Sequence, residues 1–313
     1  MNELSYVVKR ILQIIPVLFI VTILIFVMIR MIPGDPALAM LGEKGSPAAV
    51  EAMRHKMGLD KSLVVQYFIF LGSLIHLDLG SSSYYNTPVV ALIMQKIVVT
   101  IFLTAVSTVM TLIISFPLGY IAGINGDNCK SKIINALSLI TISLPSFWVG
   151  LLLLIVFGLK LAWFPVAGWG ETWAEHFYSM ILPGFTQALA TCSLLIRNIQ
   201  NSVSNIEKKD YVDFAYSKGL SKKRVRSKYV IKNVLISTVT LLSMRIAYML
   251  GGSVVIETVF ALPGMGSLLL NGILSRDYAV VQGTVFFFSV IVLAINLITD
   301  ISYSILDPRV KLQ

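Results

Sequence analysis

Ionisable residues are scarce in this 313-residue chain, so the places where they gather are where chemistry can occur. The densest is Lys208 to Lys232, "KKDYVDFAYSKGLSKKRVRSKYVIK". Nine of its 25 residues are Lys or Arg, against two carboxylates, Asp210 and Asp213. Such a block can hold nucleic acid, lie on an anionic lipid surface or dock another protein. Two further charges, Arg245 and Glu257, interrupt an apolar stretch. On a helix they would stand about 120° apart around the axis and about 18 Å apart along it, so they do not pair directly. Arg245 either lines a polar pathway or meets another buried group, with Asn296 and Asp300 as candidates. The Gly-rich piece Pro263-Gly264-Met265-Gly266-Ser267 lacks the lysine of a phosphate-cradling loop. His55, His76 and His176 are scattered without ligand spacing, so neither a metal nor a cofactor is expected. With no nucleophile elbow or His/Asp set either, the chain reads as non-catalytic. Any ATP it depends on would be hydrolysed by another subunit.

The elements that carry these residues must sit in lipid. The chain is 56% hydrophobic and 13% charged, with a mean hydropathy of +0.82. A soluble domain carries about a quarter charged residues. A bilayer crossing needs about 20 mostly apolar residues. Six windows meet that, near 9–32, 97–124, 133–160, 180–203, 233–258 and 279–306. Their apolar runs are near-continuous, which favours helices over barrel strands. The first opens after Lys9-Arg10 like a signal peptide, and Ala37-Leu38-Ala39 resembles a cleavage site. Its apolar run Ile11–Ile29 is too long for a signal core, and it is read as an uncleaved anchor. Lys9, Arg10, Lys130, Lys132, Arg309 and Lys311 fall on the same side as the basic block, whereas the opposite short loops add little beyond Lys160 and Arg276. The positive-inside rule therefore puts both termini and the block in the cytoplasm. Cys129 then lies in a cytoplasmic loop and Cys192 within the fourth span, and no disulfide is expected.

The division that follows is residues 1–32 (N-terminus and first span), 33–95 (an extracytoplasmic segment) and 96–313 (a five-helix core with a cytoplasmic loop at 204–232). The 33–95 segment opens on Pro33-Gly34-Asp35-Pro36, which ends the emerging helix. It reads as a small cap on the outer span ends, as a docking face, or as both. Within the membrane, Gly119 and Gly123 form G-x-x-x-G, and Gly251-Gly252-Ser253 is a second small-residue patch. Close helix crossing is the first reading of both, with a pore-side position open for the second. Pro117 and Pro145 are expected kinks. Arg197, near the inner end of its span, is expected to snorkel to the interface.

In the loop, Asp210 to Ser217 has helical propensity, with Tyr211, Val212, Phe214 and Ala215 as an apolar stripe. Gly219 stops it, and Ser221 caps a second helix that runs into span five. Nucleic acid is disfavoured because no recognised binding fold surrounds the charge. Lipid attraction accounts for some lysines but not for the apolar stripe, whereas docking of a short helix into a groove of a cytoplasmic protein accounts for both.

Asp213-Phe214-Ala215-Tyr216-Ser217-Lys218-Gly219 resembles the E-A-A-x-x-x-G motif of ABC-importer permeases. The wider string "DYVDFAYSKGLSKKRV" is similar to its form in the dipeptide/oligopeptide/nickel permeases. "MIPGDP" (31–36), "GLDKSLVVQY" (58–67), "LDLGSS" (77–82), "SLPSFWVG" (143–150), "ETVFALPGMG" (257–266), "RDYAVVQG" (276–283) and "LDPRV" (306–310) follow in family order. Asp213 keeps the acid of the motif, Phe214 replaces its first Ala, and Lys232 stands near an expected Pro. The resemblance implies an all-α integral membrane protein with the ABC type I importer permease fold, in a bacterial inner membrane. It implies that Tyr211, Asp213, Phe214, Ala215, Lys218 and Gly219 couple to an ATPase. It also implies a homologous second permease, two ATP-binding cassette subunits and an extracytoplasmic solute-binding protein, with membrane lipid as solvent and no nucleic acid. The pathway is expected to involve Arg245, Gly251, Gly252 and Glu257. Short peptides are the first cargo reading, with glutathione or a nickel chelate as alternatives. An ion-driven secondary transporter fits less well, since inverted repeats are not seen; a purely structural subunit would need no such loop.

Overall fold

A computed structural model of the protein describes residues 3–31, 37–38, 46–56, 58–126 and 128–306. The expectations for Pro33 to Pro36, Arg309, Lys311 and all but the first residue of "LDPRV" lie outside the described residues. Among those described the chain is helical and has no strand, with one isolated bridge, Ser81 to Pro88. The helices are α1 (Glu3–Met31), α2 (Pro47–Lys56), α3 (Leu63–Ile75), α4 (Val89–Ile124), α5 (Cys129–Ser143) and α6 (Ser146–Leu153). A π-helical stretch, Leu154–Lys160, extends α6. Then come α7 (Trp173–Glu207), α8 (Asp210–Ser217) and α9 (Lys222–Val225). A second π stretch (Arg226–Ile231) leads into α10 (Lys232–Val259), followed by α11 (Met265–Leu274) and α12 (Tyr278–Leu306).

Among the described residues, four helical stretches are long and apolar enough to cross a membrane: α4, α7, Lys222–Val259 and Tyr278–Thr299. The third expected window differs from a simple crossing. It is a broken pair, α5 and α6 with its π extension, bent by 101°. The cause is local. Leu144 precedes Pro145, whose ring forces its neighbour out of the helical region, and Leu144 is extended at φ −93, ψ 134. Pro16, Pro117 and Pro183 lie within continuous helices. The shorter apolar helices include the Leu12–Met28 part of α1, α3 and α11.

The chain divides into two compact units. One comprises Ile101–Leu262 with the terminal pieces Met1–Glu3 and Ala294–Gln313; the other comprises Leu4–Thr100 and Pro263–Leu293. In the first, α4 crosses α7 where glycines remove the side chain. A Cβ on Gly119 would stand 2.7 Å from Cβ of Ile199, and one on Gly123 would stand 2.6 Å from Cβ of Val203. Those distances admit no side chain, so the expected close crossing is present. A buried polar link ties three helices together there. Ser107 Oγ of α4 donates to Gln187 Oε1 of α7 at 2.8 Å, and Gln187 Nε2 donates to the Met249 carbonyl of α10 at 2.7 Å. In lipid such bonds hold because the alternative is an unsatisfied polar group.

In the second unit, Val89, Ile93, Met265, Leu268 and Val280 form a buried apolar cluster. Beside it, buried Asp277 gathers donors from two distant strings. Its Oδ2 accepts from Ser82 Oγ at 2.6 Å and Tyr84 N at 3.2 Å, while Oδ1 accepts from Val280 N at 3.3 Å in the first turn of α12. "LDLGSS" and "RDYAVVQG", noticed in the sequence as separate pieces, thus share one carboxylate.

Candidate functional site

The loop between α7 and α10 folds as a helix, a glycine turn and a second helix. α8 starts at Asp210, with acids in its first turn, where the helix dipole favours negative charge. Gly219 sits at φ +78, in the left-handed region that ends helices, and its N–H reaches the Tyr216 carbonyl at 2.9 Å. Ser221 Oγ accepts from Arg224 N at 3.4 Å and caps α9.

The apolar stripe read from the sequence divides between two faces. Val212 and Ala215 point inward, fully or almost fully buried with Val225 and packed by Ile206, Tyr216, Leu220 and Tyr229. Tyr211 (44% exposed) and Phe214 (61% exposed) point outward. The ammonium of Lys218 lies 4.6 Å over the Phe214 ring, a cation–π contact that holds both on one face. Asp213 is also exposed. The six residues expected to couple are therefore together, five of them on or beside an outward surface and Ala215 beneath it.

The base of the loop is closed by an ion pair, Arg226 Nε to Glu207 Oε1 at 3.1 Å, both partly buried. Below it, Leu195, Ile199 and Val203 of α7 pack against Val234 and Leu242 of α10 and Val230 of the π stretch. Phe116 and Tyr120 of α4 pack against that cluster. α8 is thus carried on a stiff three-helix root. Neither the Glu207–Arg226 clasp nor Gln187 was singled out by the sequence. Glu207 stands just before the block and Arg226 inside it, which was the available hint; Gln187 was one polar residue in an apolar run.

The four residues expected on the pathway all lie on α10 but not on one face. Met244, Tyr248, Gly251, Val255 and Thr258 recur at helical spacing and are exposed, and Arg245 and Gly252 flank that stripe half-buried. Arg245 carries a buried Nε without a hydrogen-bond partner among the described residues, and its guanidinium lies 5.8 Å from the Tyr248 ring centre. The side chain of Asp300 lies outside the description, and Asn296 is exposed. Among the described residues nothing stands within 4 Å of a Cβ built on Gly251 or Gly252, so within this chain these two glycines make no close helix crossing and face open space. Glu257 is on the opposite, fully buried side. Arg197 is exposed, and Cys129 and Cys192 are free thiols. No group of metal-ligating side chains occurs among the described residues.

A core of long apolar helices that presents a short, rigidly rooted helix beside a basic loop defines a multi-pass membrane transport subunit. Residues 115–312 match the family described as "Binding-protein-dependent transport system inner membrane component", and residues 3–104 match its N-terminal companion family. The chain belongs to this family of inner-membrane permeases of ABC importers. Relatives include a Brucella abortus protein provisionally named a peptide transport system permease, 39% identical over 98% of this chain and 99% of its own length. The glutathione transport system permease protein GsiC of Escherichia coli O6:H1 is 34% identical over 98% of this chain and 99% of its own length. Among solved structures, a chain of the methionine ABC transporter MetNI, in an inward facing conformation, superposes with a TM-score of 0.58. It is 16% identical and covers 69% of this chain and 96% of its own. The protein is thus a permease subunit of a binding-protein-dependent importer, a class that works with an ATPase and a solute-binding protein.

Proposed function

We propose that the chain crosses the inner membrane six times with both termini in the cytoplasm and pairs with a homologous second permease. Each of the two contributes half of a translocation pore. Two separate ATP-binding cassette subunits hydrolyse ATP, and one receives α8 in a surface groove. The observation that carries this reading is the division of α8 into a buried Val212–Ala215 face and an outward Tyr211–Phe214 face. A helix held from behind and aromatic in front is the form that groove docking uses. Nucleotide-driven closure of the ATPases would pull α8 and, through Glu207–Arg226 and the cluster below, the whole α7–α10 pair.

The cargo is read as short peptides. The names of the Brucella and GsiC relatives support peptides and glutathione; no relative named above supports a nickel chelate. Arg245, Gly251 and Gly252 on the open face of α10 supply a cation beside unfilled space, which suits the carboxylate every peptide carries. Glu257, buried on the other face, is assigned an internal packing role instead. The test is dipeptide uptake into proteoliposomes that hold the complete complex, with binding protein outside and ATP inside. Uptake that proceeds without ATP overturns the reading. Arg245→Ala should cut uptake while the subunits still co-purify; unchanged uptake removes Arg245 from the pathway.

A further inference from the structure

The segment 33–95 contains a helix whose polarity is inside out. α3 runs Leu63–Ile75, "LVVQYFIFLGSLI", without one charged residue. Its one amide side chain, Gln66, is only 8% exposed, while Leu63, Val64, Val65, Phe68, Ile69 and Ile75 are all exposed, Phe68 by 63%. Gln66 is buried because it has work to do there. Its Oε1 accepts from Arg30 Nη2 at 2.6 Å and Nε at 3.2 Å, and its Nε2 donates to the Lys61 and Leu59 carbonyls. Water would welcome Gln66 and reject the other face. A helix sorted this way faces something as apolar as itself.

What it faces follows from where it is attached. α3 packs along the last two turns of α1. Tyr67 and Thr22 share a hydroxyl–hydroxyl bond of 2.9 Å, the Tyr67 and Phe26 rings meet edge to face at 5.3 Å, and Phe70 stacks on Phe26 at 6.0 Å. Thr22, Phe26 and Arg30 lie one above another at helical spacing, so this contact extends about 12 Å down α1 from Arg30. On either side of it α1 exposes Phe19, Ile20, Ile23, Leu24, Val27 and Met28, an uncharged surface continuous in character with that of α3. α3 is about 20 Å long, too short for the roughly 30 Å hydrocarbon core. Polar residues flank both its ends: Asp60, Lys61 and Ser62 before it, His76 and Asp78 after it.

We propose that α3 is sunk into the outer half of the bilayer beside α1, with the Val64, Val65, Phe68 and Ile69 face against lipid acyl chains. This rests on the reading above that α1 crosses the membrane with Met31 at the outer side. The segment 33–95 is then not wholly an aqueous cap or docking face. Its α3 is membrane structure, and a binding protein would have to dock elsewhere on it.

The test reads depth and not transport, so it stands apart from the importer reading, which fails on ATP-independent uptake. In a background with Cys129 and Cys192 changed to Ser, single cysteines replace Val64, Phe68 and, as an aqueous reference on α2, Glu51. Each is spin-labelled in the complete permease complex reconstituted without binding protein, and relaxation by oxygen is compared with relaxation by chromium oxalate. The expected result is preferential relaxation by oxygen at V64C and F68C and by chromium oxalate at E51C. Preferential relaxation by chromium oxalate at the α3 sites overturns the proposal by placing the face in water. Protection from both reagents overturns it by placing the face under protein.

Discussion

Two short helices of this chain, α8 and α3, each bury one face and expose aromatic residues on the other, yet their surroundings differ. Around exposed Phe214 and Tyr211 stand Asp213, Lys218 and the rest of the basic block. Beside exposed Phe68 on the outward face of α3 stand the exposed aliphatic residues Val64, Val65 and Ile69. Aromatic anchors ringed by charge resemble the centre and polar rim of a protein interface. Aromatic residues ringed by aliphatic ones resemble a surface that never meets water. An exposed phenylalanine alone therefore says little; the company within one helical turn decides which partner it suits.

The sharpest way to break this comparison is to charge both sites. Phe214→Asp is expected to abolish ATP-dependent uptake and the co-purification of the ATPase, since a buried interface anchor is worth about 2 kcal/mol or more, roughly 30-fold in affinity. Phe68→Asp should leave co-purification intact, and ATPase loss in both variants would erase the distinction. Next in size is the inward side of α3. Gln66→Leu removes the Gln66 Oε1 acceptor of the Arg30 guanidinium and leaves only its Nη1 bond to the Phe26 carbonyl, and a lost hydrogen bond to a charged group costs about 1.5 kcal/mol. A lowered thermal midpoint of the solubilised chain with normal ATPase binding is expected; an unchanged midpoint would mean that Arg30 does not hold α3. The smaller effects belong to the ends of the α8 turn. Ser221→Ala removes the α9 cap, at a cost of about 1 kcal/mol. Gly219→Ala places a side chain at φ +78 with open space around it, so only the backbone term of about 1 kcal/mol applies. Both should lower uptake modestly through a looser loop, which faster amide exchange over 210–225 would report.

Much of this was legible in the sequence where the cause was local. The glycine stop, the Ser221 cap and the break at Pro145 all follow from residues within a turn or two of the feature, and Gly119 and Gly123 mark where a close crossing is allowed. The unreadable parts depend on distant partners. Ser82 and Asp277 are 195 residues apart, and no spacing rule joins them. α3 is apolar nearly all round, so its pattern cannot reveal that Gln66 faces Arg30. Gly251-Gly252 and Gly119–Gly123 read alike as small-residue patches, but one meets a helix and the other meets open space. Composition states that close approach is allowed, and only the fold states whether it happens.

The bond from Gln187 to the Met249 carbonyl has a mechanical consequence. The helical run Lys222–Val259 has 38 residues, a rod about 57 Å long. It is pinned near its far third to α7 and, through Ser107, to α4, so it cannot slide without breaking a bond in a medium that offers no replacement. If α8 docks as proposed above, motion fed in there emerges as tilt. Turned by about 5° about Met249, the arm of about 40 Å toward Lys222 swings its end by about 3.5 Å, whereas Glu257, about 12 Å beyond the pivot, moves by about 1 Å. The loop is the long handle of a lever, Gln187 marks its fulcrum, and a swing of several ångströms at the Lys222 end becomes a displacement of about an ångström at Glu257.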